Sequence, residues 1–177
     1  MSSHENQMPE QVSRDILRQL VGEFEVVSAD KAATSSDFSV ANQLYLTWQS
    51  RPGAIPHYKE MKPTVIEPSI LPNMAVVDIV DGGKDYLFRV YGTAHVAQYG
   101  ADLTGRRISD IEKANPASKV IRELYTLVLE NRDAVFFELF YLNKNDIIKK
   151  ATGVMLPLVD ERGDICRLIG SMDWFRC

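Results

Sequence analysis

Residues 74 to 91 allow few folds, because they contain a complete hairpin pattern. Two short apolar runs, Met74 to Val80 and Tyr86 to Tyr91, flank the turn sequence Asp81-Gly82-Gly83. Glycines supply the positive φ angles that a tight turn requires. A turn of this composition between two β-type runs predicts an antiparallel hairpin.

Helical signals follow the hairpin directly. Gly92-Thr93 breaks the strand pattern and predicts a short helix over residues 94–99, which Gly100 ends. A polar connector at 101–105 then leads to a second short helix at Ile108 to Ile111. Asn115-Pro116 begins a longer helix, since asparagine caps well and proline suits the first turn. Its apolar face consists of Val120, Ile121, Leu124, Leu127 and Val128.

Three further strands are predicted at 134–142, 147–158 and 166–175, joined by polar turns. In the first of them both alternating sets of residues are apolar, which indicates that both faces of the sheet are covered. The helices described above would cover one face. The second face needs either an N-terminal helix or a second subunit, and the pattern therefore predicts a homodimer or intrachain cover.

The chain is expected to divide into three segments. Residues 9–24 have the spacing of an amphipathic helix, so we expect residues 1–27 to serve in dimerisation or capping. Residues 28–37 are small and polar and are expected to be a linker. Residues 38–177 would form the main domain, beginning with a helix that contains Trp48. Four prolines between 56 and 72 predict an extended course before the first strand of the hairpin.

These segments resemble the PAS superfamily, and in particular a bacterial single-domain PAS-like family. The resemblance covers about residues 38 to 175. It is carried by Trp48, by Leu71-Pro72, by the Y-x-F-R-x-x-G-T pattern of Tyr86 to Thr93, and by the G-A-D-L-T-G-R sequence of Gly100 to Arg106. It implies an α+β fold: a five-stranded antiparallel PAS-like sheet, with short helices and one long connector helix on one face, plus the N-terminal helix. It also implies a sensory or interaction module.

Composition limits the class of protein. With 177 residues the chain suits one domain. A formal charge of -4 argues against a nucleic-acid surface, although the Arg106-Arg107 pair leaves a local basic patch open. No apolar run approaches the roughly 18 residues of a membrane helix, so we expect a cytoplasmic protein with no nucleic-acid and no membrane partner. Cys166 and Cys177 are expected to be reduced thiols, and no metal-ligand spacing is present.

Catalytic motifs are missing from the sequence, so we expect no enzyme and no catalytic or metal-binding residues. A ligand, if one binds, would lie between the helices and the inward face of the sheet. Candidate ligand-binding residues are Arg89, His95, Tyr99 and Tyr125.

PAS cofactors leave two minor options. The resemblance disfavours a flavin photoadduct, because residues 93–114 contain no cysteine. It also disfavours the usual haem, because residues 116–131 contain no histidine. Non-covalent flavin and a haem held by His95 remain open, and the cofactor is unknown.

The function that these patterns favour is a cytoplasmic sensory module acting through its dimer or a signalling-protein partner, with an unidentified small-molecule ligand. One alternative is a ligand-free dimerisation adaptor. Another, of a different class, is a small isomerase-type enzyme with a cone-shaped fold. That enzyme would need a buried acid beside a tyrosine, and Asp173 is the best candidate acid.

Overall fold

Within the part of the chain that the structure describes, six strands form one antiparallel sheet in the order β1-β4-β5-β6-β2-β3. The computed structural model describes residues 24–142 and 148–176. The strand bounds are β1 Phe24–Val27, β2 Met74–Val80, β3 Asp85–Tyr91, β4 Val135–Leu142, β5 Ile148–Val159 and β6 Ile165–Arg176. The predicted α+β fold with an antiparallel PAS-like sheet is confirmed, with six strands in place of five.

The β2–β3 hairpin has the predicted turn, and its register shifts between Val76 and Val77. Val80 pairs with Asp85 at the closed end, and Ala75 pairs with Tyr91 at the open end. In the turn, Asp81, Gly82 and Gly83 have φ angles of 53°, 66° and 93°. Glycine adopts such angles without strain, and aspartate tolerates them better than most residues. The turn sequence therefore fixes where the two strands meet.

Three helices cover one face of the sheet, the inner face. They are α3 Thr93–Tyr99, α4 Ile108–Ala114 and α5 Lys119–Asn131. Gly100 ends α3 with a left-handed φ of 94°. The Asn115 side chain accepts a hydrogen bond from the Ala117 N–H at 3.3 Å, in the short 3-10 turn before α5. These short helices and the long connector helix lie where the sequence places them.

Residues 29–73 cover the opposite, outer face of the sheet. They include α1 Ala29–Ala33, α2 Ser39–Gln49 and 3-10 turns at Tyr58–Glu60, Pro63–Val65 and Pro68–Asn73. Trp48 of α2 is buried, and its indole N–H donates to the carbonyl oxygen of Pro157 at 3.0 Å. This corrects the expectation that the second face needs the N-terminal helix or another subunit, because α2 and the proline-rich segment already cover it.

Pro157 shows why β5 tolerates a proline. Strand β4 pairs with β5 only as far as Met155, whereas β6 continues to pair at Pro157 through Leu168. On its β4 side Pro157 therefore lies at a local edge, where its missing N–H interrupts no ladder. The sequence predicted such an edge position.

The first segment of the chain differs in part from the sequence-based expectation. Phe24, expected at the end of a helix, lies in β1, which pairs with β4 through Phe24–Leu139 and Val26–Phe137. Within residues 28–37, expected to be a connector, Ser28 caps α1 and Ala32 is buried. The remainder of the predicted N-terminal helix lies outside the described residues, as does the predicted turn at 143–146.

Candidate functional site

A cavity of about 650 Å³ lies between the inner face of the sheet and helices α3, α4 and α5. The helices contribute mainly apolar side chains to it: Ile108, Ile111, Val120, Ile121 and Leu124. The sheet contributes residues from five strands, including Ala75, Phe88, Phe137, Met155 and Trp174. Volume and lining are those of a small-molecule site.

The sheet leaves room for this cavity because small residues meet at its centre. Ala75 of β2 lies opposite Gly170 of β6, and Gly170 lies opposite Met155 of β5. A Cβ atom on Gly170 would overlap the sulfur of Met155. The Met155 side chain therefore lies over Gly170. The neighbouring position on the sheet, Ala75, carries only a methyl group, and it forms the floor of the cavity.

Five rings form an aromatic wall on one side of the cavity: Phe88, Tyr91, His95, Tyr99 and Trp174. The ring centroids of Tyr91 and Phe88 are 5.3 Å apart, and those of Tyr91 and His95 are 5.0 Å apart. Trp174 meets His95 edge to face at 4.9 Å. Rings in such contacts present both faces and edges to a planar guest.

His95 is buried and neutral. Burial lowers its pKa from 6.5 to about 4, against the opposing effect of a hydrogen bond to Asn73. Nε2 lies 2.8 Å from the carbonyl oxygen of Asn73. Because a carbonyl can only accept, Nε2 carries the proton, and the neutral ring keeps a lone pair on Nδ1. Within the described residues, Nδ1 makes no hydrogen bond.

Tyr125 of α5 is 4% exposed and lines the cavity. Its ring meets Tyr86 edge to face at 5.2 Å. Burial, followed by the neighbouring hydroxyls of Tyr91 and Tyr86, raises its pKa, so the hydroxyl keeps its proton. No hydrogen bond to this hydroxyl is present in the described part of the chain. The cavity therefore offers a donor at Tyr125 and an acceptor at His95.

Charged groups close to the cavity are held in a cluster around Asp85. The Asp85 carboxylate accepts from Ser109 Oγ at 2.6 Å and lies 3.4 Å from Arg122 and 3.7 Å from Arg107. Arg122 also pairs with Glu112 at 2.6 Å. Burial raises the pKa of Asp85, but hydrogen bonds from Ser109 and the Tyr86 N–H, with Arg122, outweigh it and lower the pKa. The cluster joins α4 and α5 to the hairpin.

Arg89, a predicted ligand-binding residue, does not line the cavity. Its guanidinium lies 2.8 Å from Asp78, which also accepts from Arg167 at 2.8 Å. Burial raises the pKa of Asp78, and the hydrogen bonds from the two arginines outweigh that effect and lower it. The signal was available in the sequence, because Arg89 follows the inward-facing Phe88 and strand side chains alternate.

Of the four predicted residues, the structure brings three together at the cavity: His95, Tyr99 and Tyr125. Tyr99 is 40% exposed and lies at its rim. Sequence reasoning missed Tyr91, Gln98 and Trp174, which contribute further polar groups to the lining. Only the strand register, which the sequence does not give, shows that Trp174 meets the same cavity as α3.

Asp173, the candidate acid of an isomerase, is half-buried in β6 and accepts a hydrogen bond from the Trp174 N–H at 2.9 Å. It does not line the cavity. The two most strongly paired carboxylates, Asp78 and Asp85, have lowered pKa values and remain ionised at neutral pH. Asp85 is buried beside Tyr86, but its lowered pKa, like that of Asp78, is the opposite of the raised pKa that the acid of this enzyme would need.

Flavin and haem both fit the lining poorly. Cys166 is not among the lining residues, so the described cavity provides no thiol for a flavin adduct. His95 has its Nε2 engaged with Asn73, which opposes axial ligation of a haem iron through that atom. The described lining also holds no lysine or arginine to receive a flavin phosphate or a haem propionate.

Residues 24–142 and 148–176 contain no group of three or more histidine, cysteine, aspartate or glutamate side chains arranged to hold a metal ion. No helix in the same ranges has the length and hydrophobicity needed to cross a bilayer.

The strand order and helix placement are those of a PAS-like fold: the last strand lies between the hairpin and the other long strands, and the helices between β3 and β4 cover one face. No protein-family profile matches the sequence, and a search of curated proteins finds no match.

Solved structures with a similar fold include a bacterial receptor, a fungal photoreceptor and an RNA-binding receptor. VqmA of Vibrio cholerae, in complex with ligand and DNA, is 15% identical with a TM-score of 0.47; the match covers 59% of this chain and 46% of that one. The fungal photoreceptor Vivid is 13% identical with a TM-score of 0.48, covering 80% of this chain and 97% of Vivid. An RNA-binding light-oxygen-voltage receptor is 12% identical with a TM-score of 0.44, covering 94% and 60%.

The chain thus spans about half the length of VqmA. These neighbours correct one expectation drawn from composition. The net charge argued against a nucleic-acid partner, yet VqmA was solved with DNA and another neighbour is an RNA-binding receptor. Net charge is an average over a chain and does not describe a separate binding segment, so excluding nucleic acid on that ground was wrong.

Proposed function

We propose that this chain is a sensory module that binds a small organic molecule in the cavity between the inner face of the sheet and α3, α4 and α5. The observation that carries the proposal is the cavity itself, at about 650 Å³ and lined by residues from five strands and three helices. A volume in the range of known ligand sites, enclosed by apolar and aromatic walls, supports binding rather than close packing.

The Ser171 hydroxyl supports the same function. Among the buried side-chain N and O atoms of the described residues, Ser171 Oγ is the one without a hydrogen-bond partner, and Ser171 lines the cavity. Buried polar groups are nearly always paired, because an unpaired group loses its hydration without compensation. The Tyr125 hydroxyl and His95 Nδ1 belong to the same lining, so a ligand that bonds to these groups would recover free energy.

We further propose that the bound state is passed to the N-terminal segment through β4 and β1. Phe137 and Leu139 of β4 line the cavity, and in the sheet they lie opposite Val26 and Phe24 of β1. Residues 1–23 lead directly into β1. Under this proposal residues 1–27 are the output element, residues 28–37 join it to the body, and residues 38–177 are the sensor.

A short edge strand suits this role. Strand β1 has four residues and pairs on one side with β4, and Val26 is 58% exposed. Such a strand opens locally at low free energy, so a small change in the packing of β4 alters its population of paired states.

Binding is tested with N-phenyl-1-naphthylamine, an uncharged aromatic probe that fluoresces in apolar surroundings. We expect saturable fluorescence with the wild-type protein and its loss in Ala75→Leu, whose larger side chain fills the floor of the cavity. Val90→Leu is the matched control, since it enlarges an exposed residue of β3 and should bind as wild type does. No saturable binding to the folded protein would contradict the proposal and favour a ligand-free adaptor.

Transmission is tested by hydrogen exchange with and without the same probe. We expect the amide protection of residues 24–27 to change on binding, while that of β2 and β3, at the other end of the sheet, changes less. Equal protection of β1 in both states, with probe bound, would contradict the proposed route and leave the binding proposal intact.

A further inference from the structure

The residues that line the cavity restrict the chemical class of its ligand. This inference rests on the proposed function, that the cavity binds a small molecule. We infer that the cavity selects uncharged, planar aromatic molecules that carry a hydrogen-bond acceptor for Tyr125 and a donor for His95, and that it rejects carboxylates and phosphates.

Charge selection follows from the lining. None of the described residues that line the cavity is a lysine, arginine, aspartate or glutamate. An anion entering it would lose its hydration and meet no cation, a loss of several kcal/mol for a carboxylate. Uncharged aromatic molecules lose far less on transfer from water.

The arginine side chains near the cavity already form ion pairs with carboxylates. Arg122 is divided between Glu112 and Asp85, and Arg107 lies between Asp81 and Asp85. Arg89 lies on the other side of the sheet, paired with Asp78. An anion in the cavity would have to break an ion pair that is already formed before it gained one.

His95 does not supply a positive charge at neutral pH. Burial against Tyr91 and Trp174 lowers its pKa to about 4, in spite of the hydrogen bond to the Asn73 carbonyl, and no carboxylate faces it among the described residues. The ring therefore acts as an acceptor at Nδ1, which favours a ligand N–H or O–H.

Shape selection follows from the aromatic wall of Phe88, Tyr91, His95, Tyr99 and Trp174. Successive centroid distances of 5.3, 5.0 and 4.9 Å make a continuous series of rings from Phe88 through Tyr91 and His95 to Trp174. A planar guest gains offset or edge contacts along such a wall, where a branched aliphatic guest gains fewer.

Three matched probes test the inference: naphthalene, 2-naphthol and 2-naphthoate, each measured at pH 7 by displacement of N-phenyl-1-naphthylamine. We expect 2-naphthol to bind at least tenfold more tightly than 2-naphthoate, and naphthalene to fall between them. Equal or tighter binding of 2-naphthoate would overturn the charge selection while leaving the proposed function in place.

Tyr125→Phe tests the hydrogen bond, since it removes only the hydroxyl. We expect the dissociation constant of 2-naphthol to rise roughly three- to tenfold, with that of naphthalene unchanged. Unchanged naphthalene binding also shows that the variant is folded and the cavity intact. An equal effect on both probes, or on neither, would overturn the role of Tyr125. Failure of every probe, including N-phenyl-1-naphthylamine, would instead contradict the proposed function and the inference with it.

Discussion

The two faces of the sheet are both apolar, yet one is filled and the other is hollow. On the outer face, Phe136 meets Phe38 and Tyr45, and Tyr45 stacks on Trp48, with centroid separations of 5.0 to 6.2 Å. On the inner face, Ala75 and Gly170 lie side by side under a cavity of about 650 Å³. Residue size at paired strand positions therefore decides which face of the sheet holds a cavity.

The largest expected loss of stability comes from removing a buried side chain on the filled outer face. Trp48→Ala should lower the free energy of unfolding by about 3 to 5 kcal/mol, because it removes a buried indole and leaves the Pro157 carbonyl unpaired. Urea denaturation measures the change. Leu46→Ala, on the same helix but 64% exposed, is the control and should stay within about 0.5 kcal/mol of wild type. Similar effects of the two substitutions would show that α2 is not the cover of this face.

Acid should destabilise the hollow face through His95. The folded protein holds His95 neutral down to pH about 4, whereas the unfolded chain takes up the proton near 6.5. The unfolded state therefore binds more protons between these values, and the free energy of unfolding falls by about 3 kcal/mol as pH drops through that window.

His95→Gln should flatten this pH profile, because it removes the group that the folded state keeps neutral. Asp78 and Asp85 add their own loss only at lower pH, because their pKa values lie below 3.8. Parallel profiles for His95→Gln and wild type would contradict the neutral, buried state of this residue.

Two small-to-large substitutions on the inner face should differ in their effect on the free energy of unfolding. Gly170→Ala should lower the free energy of unfolding by about 1 to 3 kcal/mol, because its Cβ overlaps Met155 and approaches the Val154 carbonyl. Ala75→Leu places its added carbons in open space and should leave stability equal or higher. Thermal melts of both variants compare them. A large loss for Ala75→Leu would mean that the cavity floor is filled in solution.

The smallest expected change in stability distinguishes Tyr86 from Tyr125, whose rings are in contact. The Tyr86 hydroxyl lies 3.2 Å from Thr126 Oγ1, whereas that of Tyr125 has no hydrogen bond in the described chain. Tyr86→Phe should therefore lower the free energy of unfolding by about 1 kcal/mol, and Tyr125→Phe by close to zero. Reversed values would place a protein partner on Tyr125 and remove its hydroxyl from the ligand site.

Much of the fold could be predicted from local patterns. Asp81-Gly82-Gly83 located the hairpin turn, Asn115-Pro116 the start of the helical segment that contains α5, and the doubly apolar strand at 134–142 the two covered faces. What covers the outer face could not be predicted, because it depends on contacts such as that of Trp48 with Pro157, 109 residues apart.

The site was predicted in part. His95, Tyr99 and Tyr125 line the cavity. Arg89 was a candidate because a guanidinium binds carboxylates and phosphates, but its side chain lies on the other face of the sheet and pairs with Asp78. The hollow itself depends on Ala75 lying opposite Gly170, a pairing set by the register of two strands 95 residues apart in sequence. No local pattern reports such a pairing.

The most direct test is a crystal structure with 6-bromo-2-naphthol, using the anomalous signal of bromine to locate the probe. We expect one strong peak on the inner face, between Ala75, Tyr125 and the aromatic wall of Phe88, Tyr91, His95, Tyr99 and Trp174, with the naphthol oxygen within hydrogen-bond distance of Tyr125 or His95. A bromine peak on the outer face, or a cavity closed by its own side chains in crystals grown with the probe, would contradict it.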